Sequence, residues 1–114
     1  MSVREFYLNI GENFDDVLAR FGSEQMIAKF VSAYANDDTF DSLSRALENN
    51  DVKSAFIYAH TLKGVAANLG FSNLAKVASD ITEILRKGSL DGVSELFDHA
   101  KRLQNSITAT LSEV

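Results

Sequence analysis

Apolar residues recur along this chain at three- and four-residue intervals, the spacing that lines one side of an α-helix. Ser2 and Glu5 stand at capping-box spacing, which predicts a short first helix with Phe6, Tyr7 and Ile10 turned inward and a stop at Gly11. Asn13 caps a second, in which Phe14, Val17, Leu18 and Phe21 repeat until Gly22. Ser23 restarts the chain, and Met26, Ile27, Phe30, Val31 and Tyr34 form a stripe that the polar residues 36–39 interrupt. Phe40, Leu43, Ala46 and Leu47 continue the period to a close at Glu48, Asn49 and Asn50. Asp51 caps the next helix, whose oily back is Ala55, Tyr58, Ala59, Leu62, Val65, Ala66 and Leu69, and Gly70 ends it. Ser72 or Asn73 is expected to cap the successor, with Leu74, Val77, Ala78, Ile81 and Leu85 as its inner stripe and Arg86, Lys87 and Gly88 at its end. Ser89 is expected to cap the last helix, in which Val93, Leu96, Phe97, Ala100, Leu103, Ile107 and Leu111 keep the repeat.

Four longer helices joined by two to four residues must run antiparallel to their neighbours. The pattern therefore predicts an all-α chain, an antiparallel four-helix bundle over about residues 37–112, with short additional N-terminal helices in about 1–35 covering one end. No linker, repeat or low-complexity run divides residues 1–114, so a single domain is expected, and a complete bundle with one exposed patch favours a monomer. The absence of proline and the lack of alternating β-branched runs leave nothing to favour strands.

Composition narrows the partners. A formal charge of −5 with scattered cations argues against nucleic acid. No apolar run approaches the roughly 20 residues that span a bilayer, and the first residues lack a signal-peptide core. With no cysteine there are no disulfides or thiolate metal sites, which agrees with a reducing cytoplasm. A soluble cytoplasmic protein is the expectation.

Candidate chemistry lies on the helix that holds residues 55–70. Opposite its oily back stands His60, amid Lys53, Phe56, Ile57, Lys63, Gly64 and Ala67. Two large apolar residues, a helical glycine and flanking lysines suggest a face on which something docks. A neutral imidazole carries a free lone pair on one ring nitrogen, and exposure makes it a usable nucleophile. Gly64, one turn on, costs the helix about 0.5–1 kcal/mol relative to alanine and leaves space beside the imidazole. Lys63 can swing its ammonium toward a phosphoryl group on His60. The plainer alternatives are that Gly64 serves close helix packing, Lys63 solubility, and His60 nothing. His99, one turn after Glu95, reads as an ordinary surface residue. The paired Glu-x-x-His motifs of carboxylate-bridged metal bundles are absent, so no metal site is expected.

His60, Leu62, Lys63, Gly64 and Gly70, within HTLKGVAANLG, resemble the signature of the histidine-containing phosphotransfer (HPt) domains of bacterial two-component phosphorelays. The stretches LARFG (residues 18–22), ALENND before the motif and LAKVAS after it also resemble that family, so most of the chain is covered. One departure is Ile81-Thr82, where many members carry a Leu-Glu pair. The resemblance implies a phosphocarrier: His60 would accept a phosphoryl group from a receiver-domain aspartate and pass it to another, with Lys63 assisting electrostatically and Gly64 giving the receiver room. Phe56, Ile57 and Ala67 would bind the receiver, with Lys53 and Asn68 toward the rim. The partners implied are response-regulator receiver domains and a histidine kinase, and Mg²⁺ is expected on the receiver. Without a recognisable ATP-binding motif, the chain is expected to have no cofactor of its own and to be a transfer intermediate rather than an enzyme.

Two other readings remain open on the sequence. The chain could be the phosphotransfer domain of a chemotaxis-type histidine kinase, phosphorylated by a separate ATP-binding core, although its start at Met1 and its stop soon after the last repeat favour a free-standing protein. It could also be a helical adaptor that uses the same patch without covalent chemistry.

Overall fold

Seven helices and no strands make up the computed structural model, which describes residues 1–114. They are α1 (Val3–Asn9), α2 (Phe14–Phe21), α3 (Glu24–Tyr34), α4 (Thr39–Glu48), α5 (Val52–Asn68), α6 (Ser72–Arg86) and α7 (Val93–Leu111). None is long and apolar enough to cross a membrane. The predicted caps hold at the start of α1, α2, α3 and α5, where the side chains of Ser2, Asn13, Ser23 and Asp51 each accept a backbone N–H from three residues on. Gly22 ends α2 in the left-handed region, and Asn50 does the same after α4 at φ +53°.

Two caps differ from expectation. Neither Ser72 nor Asn73 caps α6; the Asn73 N–H donates instead to the Glu12 carboxylate, 3.1 Å away on the α1–α2 connection. A remote carboxylate at a helix start satisfies the same orphan donor and favours the helix dipole. Ser89 does not cap α7 either. Its hydroxyl accepts the Asp91 N–H at 3.0 Å and shapes a turn, so residues 87–92 form a longer connection than expected and α7 begins after Gly92.

The short connections at residues 49–51 and 69–71 reverse the chain, and α4, α5, α6 and α7 pack in sequence as an antiparallel bundle within a molecule elongated to 40 × 23 × 20 Å. The α6 stripe is buried as predicted, and the core runs continuously through the helices. Elsewhere the inner faces are narrower than the repeat implied. Met26 and Phe30 are 42% and 39% exposed, with the Phe30 ring lying against Phe21, and Ile10 is half-buried. No further helix covers that side of α3.

The α1–α3 segment closes one end of the bundle around Phe71, which is fully buried. The rings of Phe6, Tyr7 and Tyr34 surround it at centroid distances of 6.1, 6.0 and 5.2 Å, and the Tyr7 hydroxyl donates to the Leu69 carbonyl. Between those two residues Gly70 adopts φ +76°. The Phe71 N–H bonds to the Ala66 carbonyl and the Gly70 N–H to that of Ala67, a Schellman closure of α5. A methyl group at Gly70 would stand 2.3 Å from a Val17 methyl of α2, so the turn is constrained both by its dihedral and by its neighbour.

Gly70→Ala is therefore expected to cost about 2 kcal/mol or more in chemical denaturation, from strain and overpacking together. A second expectation concerns alkali. Burial pushes the phenols of Tyr7 and Tyr34 well above their ordinary value. The folded state thus holds protons that the unfolded chain releases near pH 10, and the phenols' contribution to stability is complete below that pH and declines above it. Unfolding followed from pH 9 upward should show a flatter decline in the Tyr7→Phe/Tyr34→Phe double variant than in the wild type.

Candidate functional site

Helix α5 is held at both ends and left open along one side. Asp51 accepts the Ser54 N–H at 3.1 Å, and hydrogen bonds from Ser54 keep the Asp51 carboxyl below its ordinary range. At the other end the Arg20 guanidinium of α2 donates to the carbonyls of Ala67 and Asn68, at 3.1 and 2.5 Å. Those carbonyls belong to the last turn, where a cation also opposes the negative end of the dipole. The inward arc is Ala55, Ala59, Leu62, Ala66 and Leu69. Tyr58, expected in that arc, is 36% exposed, and Val65 is half-buried. The buried arc is rotated toward Ala59, so these two residues fall at its edge.

His60 projects from the middle of this helix on its exposed side. Its imidazole lies nearly parallel to the Phe56 ring, with centroids 6.1 Å apart and planes 11° apart. Helical side chains lean toward the N-terminus, which brings residue 60 over residue 56. The Arg86 guanidinium of α6 lies over the Phe56 ring at 5.0 Å, and its Nε is 3.2 Å from the Glu83 carboxylate. Lys63 is half-buried and takes part in none of the four ion pairs, Arg4–Asp15, Arg4–Glu24, Lys76–Asp80 and Arg86–Glu83, so its ammonium is not committed to a carboxylate.

Gly64 is exposed, and a methyl group there would meet no atom within 4 Å beyond its chain neighbours and the adjoining backbone of its own helix. Close helix packing is thus not its role, because nothing is packed against it. Its right-handed helical backbone needs no glycine, and the omitted side chain leaves a notch one turn from the imidazole.

The five docking candidates fall into two groups. Lys53, Phe56 and Ile57 line a groove with Val52 of α5 and Leu85 and Arg86 of α6, and Ile57 is 60% exposed. Ala67 and Asn68 are exposed at the far end of α5, about 16 Å along the axis from Ile57, beside Arg20. His60 and Gly64 lie between them. Arg86 and Arg20 were absent from the sequence reading of this face. Each reaches it from another helix, and only the packing of α2 and α6 on α5 brings them there. Thr82, in the place of departure on α6, is fully buried and its hydroxyl donates to the Ala78 carbonyl at 2.6 Å, so it is satisfied within its own helix. His99 is exposed on α7.

An exposed imidazole beside a notch, with an apolar groove at one side and no enclosing pocket, suits chemistry on a group that a second macromolecule brings. A family model described as the Hpt domain matches residues 25–113, from α3 to beyond the end of α7, and leaves α1 and α2 outside the match. Searches of curated proteins and of solved structures gave no match. The matched span takes in the whole bundle and the helix that presents His60, and the chain belongs to the Hpt domain family, the phosphotransfer modules of two-component signalling.

Proposed function

We propose that the protein is a phosphocarrier of a two-component phosphorelay, with His60 as the phosphoryl acceptor and donor. The observation that carries this reading is the exposed imidazole next to an open notch at Gly64, in a chain of the Hpt family. An unprotonated ring nitrogen of His60 attacks the phosphorus of an aspartyl phosphate on a receiver domain. The N–P bond forms as the P–O bond to the aspartate breaks, the bonding pair leaves with the carboxylate, and the second ring nitrogen keeps its proton. Transfer to the next receiver reverses these changes. Such transfers depend on alignment and charge stabilisation more than on covalent assistance, so a presented nucleophile suffices on this side.

Lys63 supplies positive charge near the transferring group, Gly64 admits the receiver, and the receiver brings its acidic pocket and Mg²⁺. Phe56 and Ile57 give the receiver an apolar seat with Lys53 at its rim, while Ala67 and Asn68 meet it beyond the notch. The partners are response-regulator receivers and a histidine kinase, in the cytoplasm. A kinase core supplies the phosphoryl group indirectly, by way of a receiver.

Mixing the protein with a phosphorylated receiver is expected to transfer the label to this chain in an acid-labile, base-stable form. His60→Gln should abolish it, and persistent label in that variant would sink the proposal. Gly64 gives a separate test because access and helix strength oppose one another there. Gly64→Ala should raise stability by about 0.5–1 kcal/mol, and Gly64→Leu should block transfer while the helix content by circular dichroism is unchanged. Normal transfer in Gly64→Leu would mean that the receiver approaches from another side.

A further inference from the structure

We propose that Arg86 is a positioning residue for His60, acting through the ring of Phe56. The proposal rests on the phosphocarrier reading for its kinetic consequence, and on geometry alone for its structural one. Three planar groups from two helices stand in series: the Arg86 guanidinium over the Phe56 ring, 5.0 Å from its centroid, and that ring nearly parallel to the His60 imidazole, with centroids 6.1 Å apart. Glu83, one turn before Arg86 on α6, holds the guanidinium by its Nε at 3.2 Å. The series therefore runs from an ion pair on α6 to the imidazole on α5.

Phe56 needs such a restraint. It is only half-buried, and it borders the open groove formed by Val52, Lys53, Ile57, Leu85 and Arg86. A ring with empty space beside it can leave its rotamer, and the imidazole that leans on it then loses its backing. His60 is exposed, so little else limits its two side-chain torsions. An exposed cation on an aromatic face is enough to change a rotamer population about two- to fivefold. Reaction rates follow such populations when one orientation of the nucleophile is the productive one.

Planarity separates this role from a plain charge effect. A guanidinium lies flat on a ring, whereas an ammonium is a compact and strongly hydrated charge. If Arg86 served the phosphoryl group through its charge, Arg86→Lys would keep transfer normal and Phe56 would be irrelevant to it. If it acts through Phe56, the two side chains form one unit, and losses at one pre-empt losses at the other.

The test is a double-mutant cycle on the full chain with Arg86→Met, Phe56→Leu and the pair, and Arg86→Lys alongside. Transfer from a phosphorylated receiver is followed in single turnover at saturating receiver, and the His60 ring protons are followed by NMR in the free protein. Arg86→Met and Phe56→Leu should each slow transfer about three- to fivefold, with the pair no slower than the worse single variant, and Arg86→Lys should resemble Arg86→Met. The His60 ring-proton shifts should move in both single variants. Multiplicative losses in the pair, a normal rate in Arg86→Met or Arg86→Lys, or unmoved shifts in Arg86→Met would each overturn the proposal. Should the wild type take no label, the phosphocarrier reading fails by itself, and the NMR comparison still decides whether Arg86 orders His60.

Discussion

The turn at Leu69, Gly70 and Phe71 is the constraint on which the arrangement of this molecule depends. Gly70 must take a positive φ there, and it must have no side chain because Val17 occupies the space. Its two neighbours then point to opposite duties: Leu69 offers its carbonyl to Tyr7, and Phe71 enters the aromatic cluster formed with Phe6, Tyr7 and Tyr34. One reversal of the chain thereby sets the pairing of α5 with α6 and fastens the N-terminal helices to both. Arg20 completes the fastening from α2, through the carbonyls just before the turn. Helices outside the matched family span thus finish the end of the helix that carries His60.

Much of this was legible in the residues because it follows from local chemistry. The Ser2, Asn13, Ser23 and Asp51 caps and the Gly22 and Gly70 stops are decided within a few residues, so spacing alone locates them. The inner stripe of α6 was equally plain, since that helix is covered on one broad side. The failures have a common cause in distant partners. Glu12 replaces Ser72 or Asn73 at the start of α6 from far along the chain, and nothing in the local pattern announces it. Met26, Phe30 and Tyr58 have helical spacing and the right character, but they fall at the edge of their buried faces, Phe30 with only the Phe21 ring against it.

The same division runs through the site. The exposure of His60 and the vacancy at Gly64 were both implied by position on a helix, and the alternative of close packing at Gly64 disappeared once its surroundings were known. The Phe56 neighbour was likewise named in advance, whereas its contact with Arg86 depends on how far α6 extends beside α5. Arg86, expected only at the end of its helix, can oppose the dipole of α6 there while its guanidinium lies over a ring of the preceding helix. A residue's local and tertiary roles need not compete.

The open side of α5 has an implication for selectivity on the reading proposed above. A notch, unlike a pocket, turns nothing away by shape, so a carrier built around one is reachable by any partner that can place its phosphoryl group there. Discrimination must then be exercised away from the nucleophile, at the groove between α5 and α6 and at the Arg20 end of the helix. Those two regions draw on α6 and α2, whose residues away from Arg86 and Phe56 lie outside the series of side chains that backs His60. Such an arrangement lets one and the same reaction serve new partners through changes at the margins of a single helix.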